Sequence, residues 1–221
     1  MVEIAISVLN ADLSNIADLC SEIDESTASS IQIDVMDGHF VPHLALGPQD
    51  CAAFAMHSRL PIEAHLMVKQ PERFLETFAT AGATYLIAHT EVLPDIPSYC
   101  NRVRSLGKRP GIAINPETPP DKLLSVCTLA DLIVVMGVHP GAGGQSFISS
   151  TLQTLTILQS ARQQAGSSLP KLQLDGGVNT GTVQQIVAAG ADAVIGGSFV
   201  MRHPQGIKAG VQMLKTHCRK K

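Results

Sequence analysis

The chain has 221 residues, 45% of them hydrophobic, with a formal charge of −3 and an isoelectric point near 6.2. That length and apolar content suit an α/β barrel or two small domains, and the charge supplies no basic stripe for nucleic acid. No apolar run reaches the ~18 residues that a membrane-spanning helix needs, and the five cysteines, at 20, 51, 100, 127 and 218, lack the paired spacing of zinc knuckles or redox motifs. The expectation is a soluble cytoplasmic protein with reduced thiols, no leader segment, no nucleic-acid or membrane partner, and a solvated tail at Arg219-Lys220-Lys221.

Eight short β-branched runs follow one another along the chain: Ile4–Leu9, Ser30–Val35, Ile62–Met67, Thr84–His89, Arg109–Asn115, Leu132–Met136, Lys171–Asp175 and Ala193–Gly196. Each precedes an amphipathic stretch, so the order is strand then helix, eight times, which argues a single (β/α)8 TIM barrel over 1–221. The runs are nearly continuous in apolar character, as parallel strands covered on both faces require. Between them, Pro71 and Thr118-Pro119 open helices, and Ser149-Ser150 and Asn179-Thr180 offer N-cap oxygens. Ala81-Gly82-Ala83 and Ala189-Gly190-Ala191 place a glycine at equivalent helix-to-strand junctions and suggest a βα repeat. No Pro-, Ser- or charge-rich linker interrupts the series, which favours one domain over two.

The working face of such a barrel is at the carboxyl ends of its strands. Polar residues collect there: Ser7 near the end of the first run, Asp34 in the second, His65 in the third, His89 in the fourth, Asn115 in the fifth and Asp175 in the seventh, with Met67 and Met136 ending the third and sixth. Strands two and seven of an eight-membered ring stand roughly 135° apart. Asp34 and Asp175 would therefore face one mouth from different sides, the arrangement for removing a proton from one face of a substrate and returning it to the other.

The segments Asp34-Val35-Met36-Asp37-Gly38-His39-Phe40-Val41-Pro42, Ala64-His65-Leu66-Met67-Val68, Pro140-Gly141-Ala142-Gly143-Gly144-Gln145-Ser146-Phe147 and Asp175-Gly176-Gly177 resemble the ribulose-phosphate 3-epimerase family, in order and over nearly the whole chain. The resemblance implies inversion at C3 of a phosphorylated ketopentose through a 2,3-enediolate, with Asp34 and Asp175 as the acid/base pair. It also implies a divalent metal on Asp34, His65 and Asp175, a substrate contact from Ser7 and His65, site-lining Met36, Met67 and Met136, and assembly as a homo-oligomer. His39 and His43 are read as loop packing or surface.

A bound cation would stabilise the enediolate and polarise the C2 carbonyl. One position departs from the family: two residues before Asp34 the family carries a metal-binding histidine, and here stands Gln32. An amide oxygen is a poorer zinc ligand than imidazole, so the ion expected is zinc held weakly, or a harder ion such as manganese or magnesium, with iron also to be tried. Phosphate recognition falls to the glycines after strands six, seven and eight, namely Gly141, Gly143, Gly144, Gly176, Gly177 and Gly197, with Ala142 and Ser198 among them; a backbone without Cβ lets an anion approach closely. The loop after strand six has Ala142 where the family usually has an aromatic residue, and His139 where it has Asn.

Two alternatives follow from these departures. A ketohexose-phosphate 3-epimerase of the allulose 6-phosphate type would use the extra room above Ala142, and a catalytically weak sugar-phosphate-binding barrel would be explained by Gln32. A decarboxylase on a related barrel is set aside, because it wants a lysine-and-aspartate array near strands two and three, and Gln32–Asp37 and Glu63–Val68 contain no lysine.

Overall fold

Eight parallel strands pair in sequence order and close on themselves, β1 (Glu3–Ser7) joining both β2 (Ser30–Met36) and β8 (Ala193–Gly196). Between them run β3 (Ile62–Met67), β4 (Tyr85–His89), β5 (Arg109–Ile114), β6 (Leu132–Met136) and β7 (Lys171–Asp175). This computed structural model describes residues 2–124, 127–165 and 170–218; the Arg219-Lys220-Lys221 tail and the side chain of Cys127 lie outside the described residues. The (β/α)8 barrel expected from the strand-helix alternation is the fold found. The strands match the sequence expectation at β3, β6, β7 and β8, whereas β1 stops at Ser7 rather than Leu9 and β5 at Ile114 rather than Asn115. The polar ends are the reason: Ser7 Oγ accepts the Leu9 N–H, and the Asn115 N–H donates to Glu91 Oε1, so both chains leave the ladder there.

The helices are α1 (Ile16–Glu25), α2 (Pro48–His57), α3 (Leu75–Thr80), α4 (Ile96–Ser105), α5 (Asp121–Leu124), α6 (Thr151–Ala165), α7 (Val183–Ala188), α8 (Ser198–Met201) and α9 (Gly206–His217). Local chemistry starts several of them. Asn15 and Asp95 accept from the N–H groups of Asp18 and Ser98, and Pro48 opens α2 behind Gly47, whose N–H donates to Asp50. Pro71 opens a 3-10 turn, Pro71–Phe74, that runs into α3. Three expected caps differ. Thr118-Pro119 precedes α5 by a turn, the carbonyls of Ser149 and Ser150 rather than their hydroxyls meet α6, and Asn179 Oδ1 accepts from Gly181 N in a turn that leaves Thr182 as the residue before α7. Each of these segments follows a strand end on the working face, where loop geometry overrides a local cap.

Gly82 and Gly190 both sit at positive φ, 97° and 114°, and a Cβ on either would lie 2.6 to 2.7 Å from a side chain of a neighbouring helix, Ala55 or Gln159. The two junctions are built alike, as their matching sequence implied. Two cores result. Between strands and helices lies a continuous apolar layer in which Phe54, Phe78 and Tyr99 are fully buried, Tyr99 satisfying its hydroxyl on Leu86 O at 2.8 Å. Inside the barrel a smaller cluster of Ala5, Tyr85, Ile87, Ala113, Leu132, Val134, Met136 and Ile195 fills the lumen and forms the floor beneath the strand ends. Cys20, Cys51, Cys100 and Cys218 are unpaired thiols. Among the described residues no helix is long and apolar enough to cross a membrane.

Candidate active site

Register places the polar residues together. Asp34 pairs with His65 across β2 and β3, Met36 with Met67, and Met136 with Asp175 across β6 and β7. At the carboxyl ends these strands open into a cleft of about 370 Å³ lined by Ser7, Asp34, Met36, Met67, Met136 and Asp175. Its upper wall is Gly141, Ala142, Gly143 and Gly144, Gly176 and Gly177, and Gly197 with Ser198. The three glycine clusters read from the sequence thus border one space. The three methionines are almost wholly buried and face it, Met36 and Met67 packing together with Val41.

The floor of the cleft is a hydrogen-bonded carboxylate pair. Ser7 Oγ donates to Asp34 Oδ2 at 2.6 Å. Gln32, with no exposed surface, sends its amide nitrogen to both acids, 2.9 Å to Asp34 Oδ1 and 2.9 Å to Asp175 Oδ2. His65 Nδ1 is 3.1 Å from Asp34 Oδ1 and 3.6 Å from Asp175 Oδ2. Ligand atoms of Asp34, His65 and Asp175 all lie within 4.8 Å of one another, a grouping able to hold a metal ion. The donor set fits: two carboxylates and an imidazole nitrogen converge, and the nearby Gln32 Oε1 is buried without a partner.

His65 does not line the cleft. Its ring is fully buried behind the carboxylates, so a direct substrate contact from it, expected above, is not what this placement offers. Burial by itself would discharge His65, but hydrogen bonds and charge from Asp175 and Asp34 outweigh it and raise the imidazole to about 9. A protonated His65 donates Nδ1–H to Asp34 Oδ1, with Asp175 Oδ2 facing it as a charge at 3.6 Å, and Nε2–H to His89 Nε2, 2.8 Å away. His89, also fully buried, is pushed down to about 4 by burial and by the His65 charge, which outweigh the opposing pull of Glu91. The other nitrogen of neutral His89, Nδ1, is 3.3 Å from Glu91 Oε2, close enough for charge attraction but outside hydrogen-bond geometry. Burial would raise Glu91, yet His89, Thr118 and the Asn115 N–H hold it down to about 2. A line of polar contacts therefore runs from the carboxylates through His65 and His89 to Glu91.

The loop after β6 is fixed at its base, where Ile148 N–H donates to Gly137 O at 2.8 Å, and within itself, where Gln145 Nε2 donates to the carbonyls of His139 and Ala142, both at 2.7 Å. His139 faces Glu117 at 3.2 Å. Across the mouth, a Cβ on Gly143 would lie 2.3 Å from Asn10 Nδ2, so the loop after β1 touches the loop after β6. Gly177, at φ 69°, would place a Cβ 2.7 Å from Phe147 Cα. Of the loop histidines, His39 is exposed and bonded to Asp37, and His43 packs beside Gly141.

Sequence reading missed Asn10, Phe199 and Arg202 on the cleft wall and gave no role to Glu91. Glu91 was discoverable as the only acid in the His89-Thr90-Glu91 strand end. The others come from loops whose approach only the closed ring determines.

A (β/α)8 barrel whose cleft gathers two acids and a histidine able to hold a metal ion is the class that this fold and site define. A sequence profile of the ribulose-phosphate 3 epimerase family matches residues 3–201. Curated relatives include the ribulose-phosphate 3-epimerase of Synechocystis, 37% identical over 210 residues covering 94% of this chain and 91% of that protein, and that of Bacillus subtilis, 35% identical over 200 residues covering 90% and 92%. The chain belongs to the ribulose-phosphate 3-epimerase family, whose named members are isomerases acting on carbohydrates. Solved structures that superpose on it include a 3-hexulose-6-phosphate synthase, at TM-score 0.71 and 16% identity over 98% of this chain and 100% of that one. An orotidine 5'-phosphate decarboxylase from Pyrococcus horikoshii superposes at TM-score 0.69 and 15% identity, over 99% and 100%. At such identity these share the fold alone.

Proposed function

We propose that this protein is a phosphoketose 3-epimerase that inverts C3 through a 2,3-enediolate, with D-ribulose 5-phosphate and D-xylulose 5-phosphate as its substrate pair. The observation that carries the reading is the joining of Asp34 and Asp175, from strands two and seven, on one buried amide at the floor of one glycine-walled cleft. One carboxylate takes the C3 proton from one face, and the other supplies a proton to the opposite face; their roles exchange with the direction of reaction. Ser7 holds Asp34 in orientation through its 2.6 Å hydrogen bond, and His65, protonated only while no ion is bound, then opposes the gathered negative charge. The three methionines exclude water around the planar intermediate. The phosphate rests against the Gly176-Gly177 and Gly197-Ser198 backbone, with Gly141–Gly144 as the cover.

Asp34, His65 and Asp175 would hold a divalent ion, and when bound it would polarise the C2 carbonyl and offset the enediolate charge. With an amide at position 32, manganese or magnesium suits the donor set better than zinc. The expected assembly is a cytoplasmic homo-oligomer, which sedimentation velocity tests. The deciding experiment is a coupled epimerase assay over pentulose and hexulose phosphates with zinc, manganese, magnesium and iron in turn, with solvent deuterium followed at C3. Turnover with C3 exchange supports the reading; tight sugar-phosphate binding without turnover under any ion refutes it in favour of a binding barrel. A ketohexose phosphate is the second substrate to try, because Ala142 is an exposed small side chain on the cleft's rim.

A further inference from the structure

We propose that Gln32 is a two-position amide that selects the cation of this site: its NH2 clamps the two acids when no metal is bound, and its oxygen turns in as a ligand when one is. This deepens the metal-assisted reading above and rests on it, but its test does not use turnover.

The argument starts from the two ends of one side chain. Gln32 is wholly buried, and its nitrogen meets carboxylates from two strands at equal distances of 2.9 Å. An amide NH2 has two hydrogens, so both are used, and the pair of acids is held together by a donor that brings no net charge. The oxygen of the same amide is buried with no hydrogen-bond partner. A buried acceptor left unmade is costly, and among the six buried side-chain atoms of the described residues without a partner this one alone belongs to a side chain that bonds both acids. A half-turn about the last side-chain bond exchanges the two atoms. In the metal-free protein that turn is forbidden, since it would set the amide oxygen against two carboxylate oxygens. With a divalent ion between those carboxylates it becomes favourable, because the ion repels the NH2 and attracts the oxygen. Each end of Gln32 is therefore satisfied in one state only, and the side chain reports whether the ion is present.

Selectivity follows from the donor atoms. With Gln32 turned in, the set is three oxygens and one nitrogen, from Gln32, Asp34, His65 and Asp175. Replacing the amide by imidazole gives two oxygens and two nitrogens, which moves preference from hard ions toward zinc. The clamp adds a second effect. Any ion must displace two hydrogen bonds to charged acceptors before it binds, so every ion is held less tightly than the same acids would hold it unclamped.

The test is titration of the full-length metal-free protein with zinc(II) and, separately, manganese(II) against a competing chelator, for wild type and Gln32→His. Gln32→His removes the clamp for both ions, so the donor change is read in the ratio: the zinc-to-manganese affinity ratio should rise at least tenfold. An unchanged zinc-to-manganese ratio overturns the proposal, as does a wild type that binds neither ion at millimolar concentration; in either event the turnover assay still judges the epimerase reading separately. A second readout is the Gln32 side-chain NH2 pair in a nitrogen-15 spectrum, identified by its loss in Gln32→Leu or, should that variant not fold, in Gln32→His. Those signals should be slow to exchange in the metal-free protein and move on saturation with zinc. Signals that stay in place with one equivalent of ion bound show that the amide does not turn, and overturn it.

Discussion

Replacing Asp175 by Asn separates the two halves of the proposed reaction. The side chain keeps its size and still accepts from Gln32 Nε2, at 2.9 Å in the parent, so the floor of the cleft stays assembled. What is lost is a base, one anionic ligand of the proposed ion and one of the two anions facing His65 Nδ1, at 3.6 Å, so the variant is assayed with the ion saturating. A positioned acid or base contributes about 10²–10⁴ in rate, or roughly 2.7–5.5 kcal/mol of barrier. Because the missing group serves one face only, epimerisation should fall by about a thousandfold. The epimer whose C3 hydrogen faces Asp34 should still exchange that hydrogen with deuterium oxide. Asp34→Asn should show the mirror result, with exchange surviving only in the other epimer. The assay is proton NMR of each pure epimer at C3 alongside the coupled rate. Epimerisation by Asp175→Asn within tenfold of wild type, or exchange of the same epimer by both variants, would refute the two-base reasoning.

Gly177→Ala forces a side chain into a left-handed backbone and to within 2.7 Å of Phe147 Cα; urea unfolding should show a loss of about 2–4 kcal/mol, combining the 1–2 kcal/mol left-handed penalty with displaced backbone. The KM for a phosphorylated ketose should rise with it. Glu91 has its carboxyl held down to about 2 from an ordinary 4.5, so the charge it keeps stabilises the folded protein above pH 4.5 and that contribution is lost as the pH falls toward 2. Glu91→Gln should therefore cost about 1–2 kcal/mol near neutrality, after discount for its partial exposure, and progressively less below pH 4.5, as read by denaturant titration at several pH values. His89→Leu removes the acceptor that orients His65 at 2.8 Å; isothermal titration should find metal affinity lowered about 10–100-fold, the usual effect of losing a residue that orients a ligand.

The barrel was legible because its information is local and repeated: eight apolar runs with glycine or proline punctuation need no long-range knowledge to place in order. Asp34 and Asp175 were legible for the same reason, one two residues short of the end of β2 and the other ending β7. Gln32 was noticed as a departure, but a sequence gives no distance between side chains 143 positions apart, and only ring closure shows that its nitrogen serves both acids. The His65–His89–Glu91 line was hidden because its members fall on two strands and a turn, and its direction depends on which ring nitrogens face each other. Strand ends were misjudged by one or two residues at β1 and β5, where backbone groups bond to side chains instead of a neighbouring strand.

Gly143 and Asn10 meet at a point where a single methyl group would not fit. The contact falls on the tip of an exposed side chain, so a larger residue at 143 is met first by rotation of the Asn10 amide, with both backbones left where they are. What a methyl at 143 would change is the direction of one amide over the cleft mouth, a steering of polarity and not of width.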